Sequence, residues 1–230
     1  MTAGPPPEGP VERLRWAATT DHPWVRFVRE VLSSAAVVLL VGLVLFGVSG
    51  VWPPLVAVES GSMEPHMSRG DLVFVMEAGR FVPEAAVSGT GVVTHRDGEA
   101  VGYRTFGDYG DVIVFDPPGE AGPPIIHRAR FWVEAGENWY DRADPEYVRA
   151  SRCGDSPDEH LRNCPAPHSG FITLGDANPV YDQVSGISGP VKPAWVKGTA
   201  EVRVPYLGFV RLKYSELSAG VVAPAPRSAA

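Results

Sequence analysis

Ser62 stands in Ser60-Gly61-Ser62-Met63-Glu64-Pro65, a turn bounded by glycine and proline that exposes a hydroxyl. A serine becomes a useful nucleophile only when a neighbouring base takes its proton. The chain's only lysines are Lys192, Lys197 and Lys213, far downstream, so a Ser–Lys pair is a poor fit. Histidine is the remaining base, with an ordinary pKa suited to neutral pH. His66 shares the serine's turn region and is expected to point to solvent. His95 falls in a polar stretch, and His160 and His168 fall in a long Pro-containing one. His127 ends the short apolar run Pro123-Pro124-Ile125-Ile126-His127, a strand end beside a turn, where a side chain is fixed yet accessible. A lone histidine is commonly structural, so an acid partner decides the matter. The stretch from Thr173 to Asp182 puts Asp176 and Asp182 on a turn after a strand. Either could hold an imidazole in one tautomer and stabilise the imidazolium. The plainer reading of Asp176 with Asn178 is an Asx-turn. The chemistry on offer is acyl transfer by serine, histidine and aspartate.

The elements that must position these groups begin with an anchor. No charged side chain lies between Glu30 and Glu59, and residues 30–51 are almost wholly apolar. About 20 such residues cross a bilayer core as a helix. A cleavable signal peptide has a shorter apolar region, roughly 7–15 residues, close to the N-terminus. A buried core helix is the weaker alternative, and Pro53-Pro54 stops the helix. Arg13, Arg15, Arg26 and Arg29 precede the span, and no Lys or Arg follows until Arg69. The positive-inside rule then predicts a single-pass cell-membrane protein with residues 1–29 cytoplasmic, partly disordered, and the rest outside. Trp16, Trp24 and Trp52 fall where indoles favour headgroups.

Residues 52–214 have the size of one domain. Short β-branched or aromatic runs, broken by Gly, Pro and Asp, predict strands at 72–76, 112–115, 125–126, 131–133, 171–174 and 199–204. Helical periodicity after residue 60 is weak and confined to about 144–151. A mainly β fold follows. Residues 78–108 and 136–169 fit this rhythm poorly, the second reading as an insertion. Residues 215–230 read as a disordered tail. The net charge of −7 argues against nucleic acid as a partner, because phosphate binding needs a basic face. An acidic, lysine-poor composition suits a salt-adapted microbe or GC-rich coding. The two cysteines, Cys153 and Cys164, leave a disulfide, free thiols or a Cys/His metal site with His160 and His168 open.

Five motifs in order behind one anchor resemble the archaeal and endoplasmic-reticulum branch of the type I signal peptidases. They are Ser60–Pro65; the Gly-Asp strand pair at Gly70-Asp71 and Gly110-Asp111; Ile126-His127-Arg128; Gly175-Asp176 through Asp182; and Val196–Gly208 with its Pro-Tyr-Leu-Gly turn. The resemblance covers about residues 30–212. It departs at Ala177, where the family has Asn, and in the length of 136–169. It implies a β-rich catalytic domain on the outer membrane face, needing no cofactor or metal. Ser62 is then the nucleophile, His127 the base, Asp182 its orienting acid and Asp176 a second acid holding the turn. The Ser62 N–H and the Ser60 hydroxyl are the implied oxyanion donors. Substrates would be secretory preproteins with signal peptides. The other partners are the bilayer and a protein-conducting channel or accessory subunits. Leu55, Val56, Val58, Met63 and Met67 are expected to face lipid around the site. Two rival readings are a membrane-anchored β-domain that binds surface partners without catalysis, and a membrane serine protease of other specificity.

Overall fold

A computed structural model describes residues 9–119, 122–148, 153 and 163–213. It divides into two units between Val48 and Ser49. In the first, α1 (Pro10–Thr19) opens on a proline, whose missing N–H is harmless in a first helical turn. Helix α2 (Pro23–Ser49) has 27 residues, and its most apolar window has a mean hydropathy of 2.7. At 1.5 Å per residue it is about 40 Å long, enough to cross a bilayer core. It starts seven residues ahead of the expected span because Arg26 and Glu30 pair one turn apart, at 2.9 Å, and extend the helix through the charged flank. No other helix among the described residues is long and apolar enough to span a membrane.

The second unit carries β1 (Leu55–Ala57), β2 (Leu72–Met76), α3 (His95–Val101), β3 (Arg104–Thr105), β4 (Asp108–Tyr109), β5 (Val112–Phe115), β6 (Ile125–Val133), β7 (Gly170–Leu174), α4 (Asp182–Ser185) and β8 (Val196–Val204). Six strands form one antiparallel sheet in the order β1-β2-β8-β5-β6-β7, and β3 and β4 form a separate hairpin. All four residues of β5 are buried at the centre of the sheet, which is why it reads as an unbroken apolar run.

Among the described residues helix covers 33% and strand 22%, so the expected mainly β fold holds only in part: a six-stranded sheet stands behind an N-terminal apolar helix. Much of the helix is α1 and α2. Helix α3 is a further departure from expectation. It forms in the polar 78–108 stretch because Thr94 caps it, accepting from the Asp97 N–H, and Gly102 ends it at φ +77°. Ile125–Val133 is one nine-residue strand where two were expected. The charged Arg128 and Arg130 hide it from an apolar pattern, and a bulge between Ala129 and Phe131 bends it.

The described residues of region 136–169 pack against the sheet. Trp139, Val148, Cys164 and Ala166 join Phe131, Val133, Ile172, Leu174 and Tyr181 in one apolar cluster. Two 3-10 turns, Tyr140–Arg142 and Pro145–Tyr147, carry the chain across. Cys153 and Cys164 form a disulfide with Cα atoms 5.3 Å apart. The expected disorder of residues 1–8 and 215–230, and His160, lie outside the described residues.

Candidate active site

Ser62 sits where a short apolar plug fixes its turn. Met63 and Met67 are 1% and 0% exposed and pack with Val58, Val73, Val75, Val112 and Val114. The Met67 N–H bonds the Met63 carbonyl at 2.9 Å, which keeps both side chains on one face. The expectation that Val58, Met63 and Met67 face lipid is therefore wrong. They are pegs driven into the core, and burying them stabilises the serine turn by the transfer of apolar surface from water. Leu55 and Val56 are only half-buried.

The turn after β7 holds the serine from the other side. The Ala177 N–H donates to the Ser62 carbonyl at 2.8 Å. A Cβ at Gly175 would lie 2.7 Å from that same carbonyl oxygen, so only glycine lets the two loops approach so closely. Tyr181, 2% exposed, meets Phe131, Trp139 and Tyr147 edge-on and sets where α4 begins. Asp182 is the first residue of that helix.

His127 is the third residue of β6, opposite Ile113 of β5, and is buried. It lies inside the strand rather than at its end. Its Nε2 is 3.0 Å from Ser62 Oγ, and its Nδ1 is 2.6 Å from Asp182 Oδ2. Residues 62, 127 and 182 thus meet in one hydrogen-bonded line. Ser60 Oγ is 3.1 Å from Ser62 Oγ, so a second hydroxyl reaches the same point.

Asp176 stands apart from this line. Its carboxylate accepts from Arg128 Nε at 2.9 Å and Nη2 at 2.7 Å, and lies 2.8 Å from His66 Nδ1. His66 consequently does not point freely to solvent. Arg128 is fully buried and also donates to the carbonyls of Thr105, Tyr109 and Gly110, clamping the β3–β4 hairpin. The role of Arg128 was not legible beforehand, since a buried guanidinium has no local sequence signal. Thr173, whose Oγ1 donates to Asp182 Oδ2 at 2.7 Å, was missed for the same reason.

The other bases and thiols lie elsewhere. His95 is 3.4 Å from Asp108 and edge-on to Tyr109. Burial and the nearby Arg130 lower its pKa, which favours the neutral ring. His168 packs edge-on to Trp195. Lys192 lies over the Trp195 ring and Lys197 faces Asp116. Among the described residues no group of three or more His, Cys, Asp or Glu is placed to hold a metal ion.

A cleft of about 350 Å³ opens over Ser62. Its lining includes Ala57, Val58, Pro123, Pro124, Ile125, Ile126, His127 and Asn178. Its volume is at the small end for ligand sites, and its walls are apolar. Comparison with protein-family models and with curated proteins returns no match.

Proposed function

We propose that this protein is a membrane-anchored serine endopeptidase that removes signal peptides from secretory precursors. The observation that carries the reading is the line Ser62–His127–Asp182, at 3.0 Å and 2.6 Å, beside a largely apolar cleft. Ser62 Oγ attacks the carbonyl that follows a small residue, and His127 Nε2 takes its proton. The Ser62 N–H and the Ser60 hydroxyl receive the charge that develops on the carbonyl oxygen. His127 then protonates the leaving amine, and water hydrolyses the acyl-enzyme by the same route. Asp182 holds the ring and stabilises its charged form. The β-rich unit is then a catalytic domain of the archaeal and endoplasmic-reticulum signal-peptidase type. It stands outside the membrane behind α2, with the arginine-rich N-terminus cytoplasmic. Its partners are preproteins, lipid and a protein-conducting channel or accessory subunits.

Full-length protein in detergent, incubated with a secretory precursor, tests this directly. A new N-terminus after an Ala-x-Ala-like site supports the reading. Cleavage at unrelated sites points to a protease of other specificity, and no cleavage by protein that still binds surface partners points to a non-catalytic domain.

A further inference from the structure

A directed chain of hydrogen bonds stands behind Asp182. Gln183 is fully buried, and its amide is pinned from both ends. The Thr173 N–H donates to Gln183 Oε1 at 3.0 Å, and Gln183 Nε2 donates to the Gly189 carbonyl at 3.1 Å. An N–H must meet the amide's oxygen, and a carbonyl must meet its nitrogen, so the side-chain amide has one orientation. In that orientation Nε2 also lies 3.2 Å from Thr173 Oγ1 and 3.2 Å from Ser188 Oγ, so its two protons are shared among three acceptors. A threonine hydroxyl has one proton. With a donor already aimed at its oxygen, that proton goes to Asp182 Oδ2, 2.7 Å away.

Asp182 Oδ2 is also the atom that meets His127 Nδ1. The other oxygen, Oδ1, is buried and has no partner among the described residues. The carboxylate is therefore held through one oxygen by two donors, Thr173 and His127. With both donating inward, Nδ1 of the imidazole carries the proton and Nε2 is left to accept from Ser62.

We propose that Thr173 and Gln183 are positioning residues for the reaction: Gln183 fixes the Thr173 hydroxyl, and Thr173 fixes the acid that sets the tautomer of His127. The proposal rests on the serine-protease reading above. Neither residue touches substrate. A merely structural role would allow any side chain of equal volume at these positions, whereas the relay requires a donor at Thr173 and a donor amide at Gln183.

The test measures the rate at which a fluorophosphonate labels Ser62 in the full-length protein in detergent. Labelling joins phosphorus to Ser62 Oγ, releases fluoride and passes the serine proton to His127. Thr173→Val, equal in size but without the hydroxyl, is expected to slow labelling about 10- to 100-fold, the range for a hydrogen bond to a charged group. Thr173→Ser restores the rate. Gln183→Glu offers Thr173 an acceptor in place of the donor, draws its proton away from Asp182 and slows labelling similarly. In the wild-type protein, a slowly exchanging Thr173 hydroxyl proton should cross-relax with the His127 Nδ1 proton by NMR. That measurement decides the proposal even where a variant does not fold. Thr173→Val labelled at the wild-type rate, or absence of the hydroxyl proton, overturns the relay alone. Wild-type protein that is not labelled at Ser62 overturns the protease reading, and the relay falls with it.

Discussion

Arg128 grips Asp176 through two parallel hydrogen bonds one residue along β6 from His127. The guanidinium is fully buried and the carboxylate nearly so. Removing one partner of a buried pair leaves the other charged and unmatched, at a cost of about 3–5 kcal/mol. Asp176→Ala is therefore expected to lower the urea midpoint sharply. The β3–β4 hairpin, which Arg128 clamps, should lose hydrogen-exchange protection first. An unchanged midpoint would show that the pair contributes nothing net.

Asp182 is expected to behave in the opposite way. Asp182→Asn should fold with near-normal stability but lose cleavage by about 10⁴-fold, because the wrong imidazole tautomer is favoured. His127→Ala should lose at least as much. His95→Ala and His168→Ala should keep most activity, since those rings pack against Tyr109 and Trp195. His66→Ala leaves Asp176 its Arg128 partner and should also cleave. Precursor processing, followed on gels alongside thermal melts, separates the two acids.

Asp111 gives the fold a pH dependence. Burial pushes its carboxyl up to about 6, although the Val93 N–H and the Tyr103 hydroxyl donate to it. Its ordinary value is 3.8. Between these limits the folded chain binds more protons here than the unfolded chain, so this contribution to stability falls as pH rises and is level above about 6. The whole effect is at most about 3 kcal/mol. Urea midpoints of the wild type and Asp111→Asn, compared from pH 4 to pH 7, should diverge in slope only below about pH 6. Parallel curves would remove Asp111 from this role.

The disulfide joins Cys164, in the Trp139 cluster, to Cys153 packed against it. Restricting the unfolded chain in this way stabilises by roughly 2–3 kcal/mol. The paired Cys153→Ser and Cys164→Ser variant should still process precursor, while limited proteolysis cuts faster within 136–169. Loss of processing with the insertion intact would show that this region reaches the cleft.

What the sequence by itself determined is local. The uncharged run of α2, the apolar runs of β2, β5 and β7, and the glycine-bounded serine turn all follow from patterns within a few residues. Helix α3 was within reach of the same reasoning, since Thr94 and Asp97 are spaced as a helix cap, but a seven-residue polar helix lacks an apolar stripe. Tertiary structure alone decided the rest. The motif singles out Asp182 over Asp176, but the residues alone leave both open, and the contact forms because Asp182 opens α4 while Asp176 pairs with Arg128. Met63 and Met67 look like a lipid-facing edge in the chain and become the pegs of the serine turn, because burial is fixed by what packs above them. Arg128 appears in the sequence only as part of a motif and Thr173 not as a functional residue, and neither role is readable there. Their partners lie across the fold, and a buried hydrogen bond is specified by geometry that only the assembled sheet supplies.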